Sequence, residues 1–203
     1  MANALDGTVS RIDSTAGQKV QTTGAGSEPT AVVAGLGAVW VTDPVGSAVY
    51  RIDPSSGLLT RTIALASPLY GIAVGAGSLW VTSTTAGTVT RIDPVAGQSV
   101  QTISVGADPA AIAFGFGSVW VANKLDSTVS RIDPVTDALT ETIPAGNGPT
   151  ALAVAGTGVW VADAAAPRVH FASMRIADFT SARVGNYQHN PAAGILLDQL
   201  WAR

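Results

Sequence analysis

Tryptophan stands at positions 40, 80, 120 and 160, and the triplet Arg-Ile-Asp begins at positions 11, 51, 91 and 131, so the chain repeats every forty residues without slippage. A unit of about 40 residues holding four short strand-like runs is the mark of a β-propeller blade, and the 3.6-residue spacing of helical repeats is missing here. The fold class expected is all-β, a propeller of four-stranded antiparallel blades.

The unit from Pro109 to Gly146 shows the reasoning. Pro109–Phe114 is a run of small apolar residues, Gly115-Phe116-Gly117 a tight hairpin turn, and Ser118–Asn123 a second apolar run around Trp120. Thr128–Asp133 and Ala138–Ile143 follow as third and fourth runs. Strands converge toward a propeller axis, where small residues leave room, so the first run belongs at the centre and the last, polar on alternate residues, at the rim. Turns such as Asp53-Pro54-Ser55-Ser56-Gly57 and Asp93-Pro94-Val95-Ala96-Gly97 join the third strand to the fourth: Asp accepts from the turn backbone, Pro presets φ and Gly takes the left-handed position. The repeated Trp is expected between stacked sheets, and the Arg and Asp of the triplet in a half-buried ion pair with the turn.

The 203 residues suit one domain, with units at about 29–66, 67–106, 109–146 and 149–184. Met1-Ala2-Asn3 aligns with Val121-Ala122-Asn123, while Pro191 to Trp201 restores the approach to a second-strand Trp. From Met1 to Trp201 is five periods of forty, so residues 191–203 plus 1–26 are expected to make one shared blade. Five blades would then close through a seam of two C-terminal and two N-terminal strands, leaving no free sheet edge. A fragment of a six- to eight-bladed ring is the alternative, because from Arg168 to Ala182 the pattern decays: Val169 keeps phase, but Phe171-Ala172-Ser173 replaces Arg-Ile-Asp.

Net charge is −3 and the eleven basic residues are scattered, which argues against nucleic acid or an anionic membrane as partner. With no cysteine there are no disulfides or thiolate sites, and either redox compartment is compatible. The N-terminus lacks a basic flank and apolar stretch, so the chain as written is cytoplasmic; a domain of a longer exported protein is the alternative.

Comparing the units separates two kinds of loop. The Gly-x-Gly and Asp-Pro turns recur, whereas the links from second to third strand and from fourth to first differ in every unit, and strand alternation brings both variable sets to one end of the ring. Three residues past each Trp position stand Asn3, Asp43, Ser83, Asn123 and Asp163. They read either as turn caps or as a ring of ligands for a polar substrate or a cation such as Mg²⁺ or Ca²⁺. Nearby links add Asp6, Lys124 with Asp126, and Arg168; the fourth-to-first loops add Glu28, Tyr70, Asp108, Asn147, and Tyr187 with His189. No phosphate loop, zinc helix or nucleophile elbow occurs, and no cofactor is expected.

The elements Trp-Val-x-x, x-Val-x-Arg-Ile-Asp-Pro and Thr-Ile-x-Val-Gly-x-x-Pro resemble the bacterial propellers of the YVTN and YncE-like group and are similar to the repeats of streptogramin lyases, over residues 1 to about 163. The lyase resemblance implies ring opening of a cyclic depsipeptide by elimination, with a His, a Glu and a divalent metal near the channel mouth. The residues of those types are His170, His189, Glu28 and Glu141, and no His neighbours a Glu in sequence. The expectation is a monomeric, non-enzymatic binding or sensor module offering its variable face to a protein, peptide or small ligand. A metal-assisted lyase at the mouth is one alternative, and a truncated propeller acting only within a larger assembly is another.

Overall fold

Every unit folds as a meander, each strand pairing antiparallel with the next in sequence. The computed structural model describes residues 1–164 and 169–172. The first sheet holds β1 (Ala2–Asn3), β2 (Thr8–Ile12) and β3 (Lys19–Gly24). The second holds β4 (Ala31–Gly35), β5 (Ala38–Asp43), β6 (Ala48–Ile52) and β7 (Leu59–Ala64), and the third β8 (Ile72–Gly75), β9 (Ser78–Ser83), β10 (Thr88–Asp93) and β11 (Gln98–Ser104). The fourth consists of β12 (Pro109–Gly115), β13 (Ser118–Asn123), β14 (Thr128–Asp133) and β15 (Ala138–Pro144), and the fifth of β16 (Pro149–Ala155), β17 (Gly158–Asp163) and β18 (Val169–Ala172). These are the blades of a β-propeller. The closing pairing expected between Leu200-Trp201 and Thr8-Val9-Ser10 lies outside the described residues. Among the described residues, no helix is long and apolar enough to cross a membrane.

The innermost strands β4, β8, β12 and β16 pack one on the next. Gly75 shows why small residues sit there: a Cβ at that position would overlap the Phe114 ring of the neighbouring blade. Along the second strands of the three middle sheets both faces are buried, because each of these sheets lies between two others. The same positions recur at every interface. Trp80, Val89 and Ile103 of the third blade meet Val119, Val121 and Ile132 of the fourth, and Trp120 and Val129 of the fourth meet Val159 and Val161 of the fifth.

Trp40, Trp80 and Trp120 lie between stacked sheets, where the sequence places them, whereas Trp160 is 38% exposed; the three buried rings make one further contact. Each indole Nε1 donates to the carbonyl that ends its own inner strand: Trp40 to Gly35, Trp80 to Gly75 and Trp120 to Gly115, all at 3.0 Å. The triplet meets the expected half-buried ion pair at Arg91, which pairs with Asp137 of the next Asp-Pro turn at 3.0 Å, but its other contacts differ. Its Arg stands directly across the ladder from the Trp and lies over the ring, with Cζ 5.8, 5.5 and 5.3 Å from the centroid for Arg51, Arg91 and Arg131. Its Asp turns to its own backbone: Asp53 Oδ1 accepts from Ser55 N and Ser56 N, and Asp93 Oδ1 from Val95 N and Ala96 N. Arg and Asp stand two apart on one face of the strand, and they satisfy different neighbours because the Asp, at the strand end, turns into the backbone of the following turn. The outer strand also bulges at every Arg-Ile step: Arg51 faces Arg61 and Ile52 faces Leu59, which leaves Thr60 as the extra residue.

The Gly-x-Gly turns are two-residue hairpins with both central residues left-handed, as at Ala76 (φ 49°) and Gly77 (φ 73°). Alanine resists that region, whereas asparagine enters it readily. Ala76→Asn is therefore expected to stabilise the fold by about 0.5–1 kcal/mol, read as a higher urea midpoint at unchanged slope.

Candidate functional site

The two variable loop sets meet at one end of the blades, as strand alternation requires. In four successive units the fourth-to-first loop donates a backbone hydrogen bond to the link between second and third strands: Ala25 N to Gly7 O, Leu65 N to Ser47 O, Val105 N to Gly87 O and Ala145 N to Ser127 O, all at 2.8–3.0 Å. Donors and acceptors each advance by forty, so the loops vary in sequence on a constant backbone frame.

Beneath that frame sit the polar residues three past each Trp. Asp43 is 0 % exposed; its Oδ2 accepts from Ser27 N at 2.8 Å and its Oδ1 from Glu28 N at 3.2 Å and Val45 N at 3.0 Å. Burial pushes this carboxyl up, but the backbone N–H groups of Ser27, Gly46, Glu28 and Val45 outweigh it and hold it below the ordinary carboxylate value. Tyr50 donates its hydroxyl to the same carboxylate, and burial followed by the Asp43 charge raises the phenol. Asn123, also 0 % exposed, solves the same problem differently. Its Oδ1 accepts from Gly106 N at 3.2 Å, and its Nδ2 donates to Thr128 Oγ1 and Ser130 Oγ at 3.0 and 2.9 Å. Asn3 makes the matching pair of bonds to Thr8 and Ser10. Ser83 is buried and lies 3.5 Å from the Thr85 hydroxyl.

Size is matched along with polarity. Gly26 covers Asp43, Gly106 covers Asn123 and Gly146 covers Asp163, and a Cβ on any of these glycines would overlap the side chain below. At the same place in the third unit the loop carries Ala66, and the residue underneath is the smaller Ser83. The expected ring of Asn3, Asp43, Ser83, Asn123 and Asp163 is thus a set of side chains seated under the loops.

The surface above is made by the other candidates. Glu28, Lys124, Asp126 and Asn147 are exposed, and Tyr70 and Asp108 half-buried. One blade gathers three of them: Lys124 Nζ is 3.9 Å from Asp108 Oδ2, Lys124 N donates to Asp108 O, and Asp126 Oδ2 accepts from Ala107 N at 2.7 Å. Tyr70 serves through its backbone, its carbonyl accepting from the Thr42 and Thr30 hydroxyls at 2.7 and 3.3 Å. Tyr187 and His189 lie outside the described residues.

The groups implied by the lyase resemblance are apart. Glu28 is on a loop of the variable end, whereas Glu141 is on rim strand β15, 3.8 Å from Arg131. His170 is on β18, opposite Val161. Among the described residues no three His, Asp or Glu side chains form a group able to hold a metal ion. The signal missed in the sequence is the partner of the strand-end residue: Asn3 and Asn123 are followed five and seven residues later by Thr and Ser, Asp43 by Ala48 and Tyr50.

Residues 4–155 match a family model described as a repeat of unknown function, DUF6923. No curated protein matches the sequence. Among solved structures, the chain resembles a catalytically inactive virginiamycin B lyase from Staphylococcus aureus with quinupristin: TM-score 0.71 and 22% identity over 82% of this chain and 59% of that one. A streptogramin B lyase gives TM-score 0.68 and 19% identity over 78% and 56% of the two chains. Hydrazine synthase of Kuenenia stuttgartiensis gives 0.59 and 18% over 62% and 38%. The chain thus spans 59%, 56% and 38% of the lengths of these proteins, and the likeness is one of fold.

Proposed function

The chain belongs to the family described as a repeat of unknown function, DUF6923, and from that premise we propose that it is a non-enzymatic β-propeller binding module presenting its variable-loop end to a protein, peptide or small polar ligand. The observation that carries this reading is the division between frame and surface at that end. Asn3, Asp43 and Asn123 direct their hydrogen bonds into loop backbones and strand hydroxyls, while Glu28, Lys124, Asp126 and Asn147, exposed and different in each blade, give every loop its own chemistry. A rigid scaffold with variable loops is how propellers and sandwiches make recognition surfaces. The reading needs no cofactor; Mg²⁺ or Ca²⁺ would be the cation suited to an end this rich in oxygen ligands. Nucleic acid and membrane surfaces are not the partners proposed, given a net charge of −3.

A second reading, a metal-assisted C–O lyase, is favoured by the likeness to the virginiamycin B and streptogramin B lyase propellers. One pair of experiments separates the two. Isotope-labelled protein is titrated with a panel of peptides and small polar compounds while backbone amide shifts are followed. Binding is expected to move residues 25–30, 65–71, 105–108 and 145–148 together with the links 44–47, 84–87 and 124–127, and Lys124→Glu is expected to alter affinity about tenfold with no change in unfolding midpoint. Incubation with quinupristin and Mg²⁺, followed by mass spectrometry, is expected to leave the ring intact. A ring-opened product whose formation Glu28→Gln abolishes would replace the first reading with the second.

A further inference from the structure

The propeller end opposite the variable loops holds a groove of about 550 Å³ between the second and third blades, lined by Leu36, Arg51, Thr60, Arg61, Pro94 and Val95 among others. We propose that this groove is a binding site for the oxyanion, carboxylate or phosphate, of a small molecule with an apolar body.

The first observation is an excess of positive charge confined to one blade. Arg51 and Arg61 stand directly opposite each other across β6 and β7, where like charges repel. Elsewhere the Arg of the triplet faces a neutral or acidic residue: Arg11 faces Gln21, Arg91 faces Gln101 and Arg131 faces Glu141. Among the described residues no carboxylate comes within ion-pair reach of Arg51 or Arg61, whereas Arg91 pairs with Asp137 at 3.0 Å and Arg131 with Glu141 at 3.8 Å.

The second observation is what the next blade does in the equivalent groove. There Asp137 fills the site from the neighbouring Asp-Pro turn, both carboxylate oxygens accepting from Arg91 Nη1 at 3.0 Å, with Pro134 O beside them at 3.2 Å. Forty residues earlier the position of Asp137 is Gly97, which brings no carboxylate, and the Arg61 side chain lies over it. The protein's own carboxylate in one groove thus marks the kind of group the other is built to receive, with a second guanidinium added.

The third is the free donor capacity. Arg51 Nη1 donates to Thr60 Oγ1 at 2.8 Å and Arg61 Nη1 to Val95 O at 2.6 Å, bonds that fix both guanidinium groups while their other nitrogens remain for a planar or tetrahedral oxyanion. The other charges nearby are Asp93 and Arg91. Asp93 is engaged first with its own turn, through Ala96 N and Val95 N, and feels the Arg61 and Arg91 charges more weakly. Leu36 and Val95, 41% and 82% exposed, supply an apolar rim for the rest of the ligand.

The test is a titration in low-chloride buffer with inorganic phosphate, benzoate and phenyl phosphate, following the Nε–Hε signals of Arg51 and Arg61, since chloride screens such contacts. Both signals are expected to shift and saturate, more tightly with the two aromatic anions than with inorganic phosphate; which aromatic anion binds better identifies the headgroup. Arg61→Gln, which installs the residue of the first and third blades, is expected to weaken binding about tenfold without lowering the unfolding midpoint. Gly97→Asp, whose backbone is left-handed as that of Asp137 is at φ 56°, sets a carboxylate against the Arg61 guanidinium, which must shift to admit the new Cβ, and is expected to weaken binding about tenfold. Absence of saturable shifts, or affinity unchanged in both variants, would overturn the site. Equal binding of inorganic phosphate and the aromatic anions would overturn the apolar body.

Discussion

Replacing Trp80 with alanine is expected to cost about 3–5 kcal/mol of folding stability, read as a lower urea midpoint. The ring is 0 % exposed and packs among Val89, Ile103, Val119, Val121 and Ile132 across two sheets, so the cavity left behind is walled by two blades. The indole also bonds Gly75 O and carries Arg91 above it. Trp80→Phe keeps most of the volume and loses only the N–H, and about 1–2 kcal/mol is expected. Trp160, at the same place in the fifth unit, is 38% exposed, and its replacement by alanine should cost distinctly less than that of Trp80. Equal losses at the two positions would mean that burial between blades is not the source of the effect.

Asp43→Ala is the second large effect, about 2–4 kcal/mol at neutral pH, because it strips several partly buried loop N–H groups of their shared acceptor at once. The pH dependence follows from the carboxyl lying below its ordinary value in the fold. Such a group binds its proton less readily folded than unfolded. Its stabilisation is therefore complete above the unfolded value, near pH 4, and disappears as pH falls through the lower folded value. The gap in unfolding free energy between the parent and Asp43→Ala should stay constant from neutral pH to about pH 5 and narrow below pH 4. Asp53, drawn down to about 2 by the Ser55 hydroxyl and the Ser56 and Ser55 N–H groups, titrates in both proteins and cancels from the comparison. Asp43→Asn, which keeps one acceptor oxygen but loses the charge, should show an intermediate loss that narrows over the same pH range, because the titrating carboxyl is the parent's.

The period of forty was enough to read the blade, its strand order and the end on which the variable loops gather, because each depends on which residues recur and which do not. The direction of individual side chains was harder to read. The triplet reads as an ion pair with the turn, but the ladder puts Arg51 against Trp40, and Asp53 accepts from the backbone N–H groups of its own turn. The strand-end residues were legible as a class, and their partners were also present in the sequence, with Asn followed by Thr and Ser and Asp by Ala and Tyr. Finding those partners required knowing that the third strand runs back beside the second in a fixed register. The groove at Arg51 and Arg61 was invisible for a related reason. Its walls come from positions 36 to 95, two units that only stacking brings together.

The interfaces have a consequence for how such a chain can grow. The first three blades grip their successors at the same place: Arg11 Nη1 reaches Pro54 O, Gln21 Nε2 reaches Ser56 O, Arg61 Nη1 reaches Val95 O and Arg91 Nη1 reaches Pro134 O, from the outer strands to the next Asp-Pro turn. A tandem duplication of one of the inner forty-residue units in the gene would therefore introduce a module whose contacts match those already made between these blades. Natural variants are then expected to differ in length by multiples of forty residues, with each added unit seated by contacts of the kind already present.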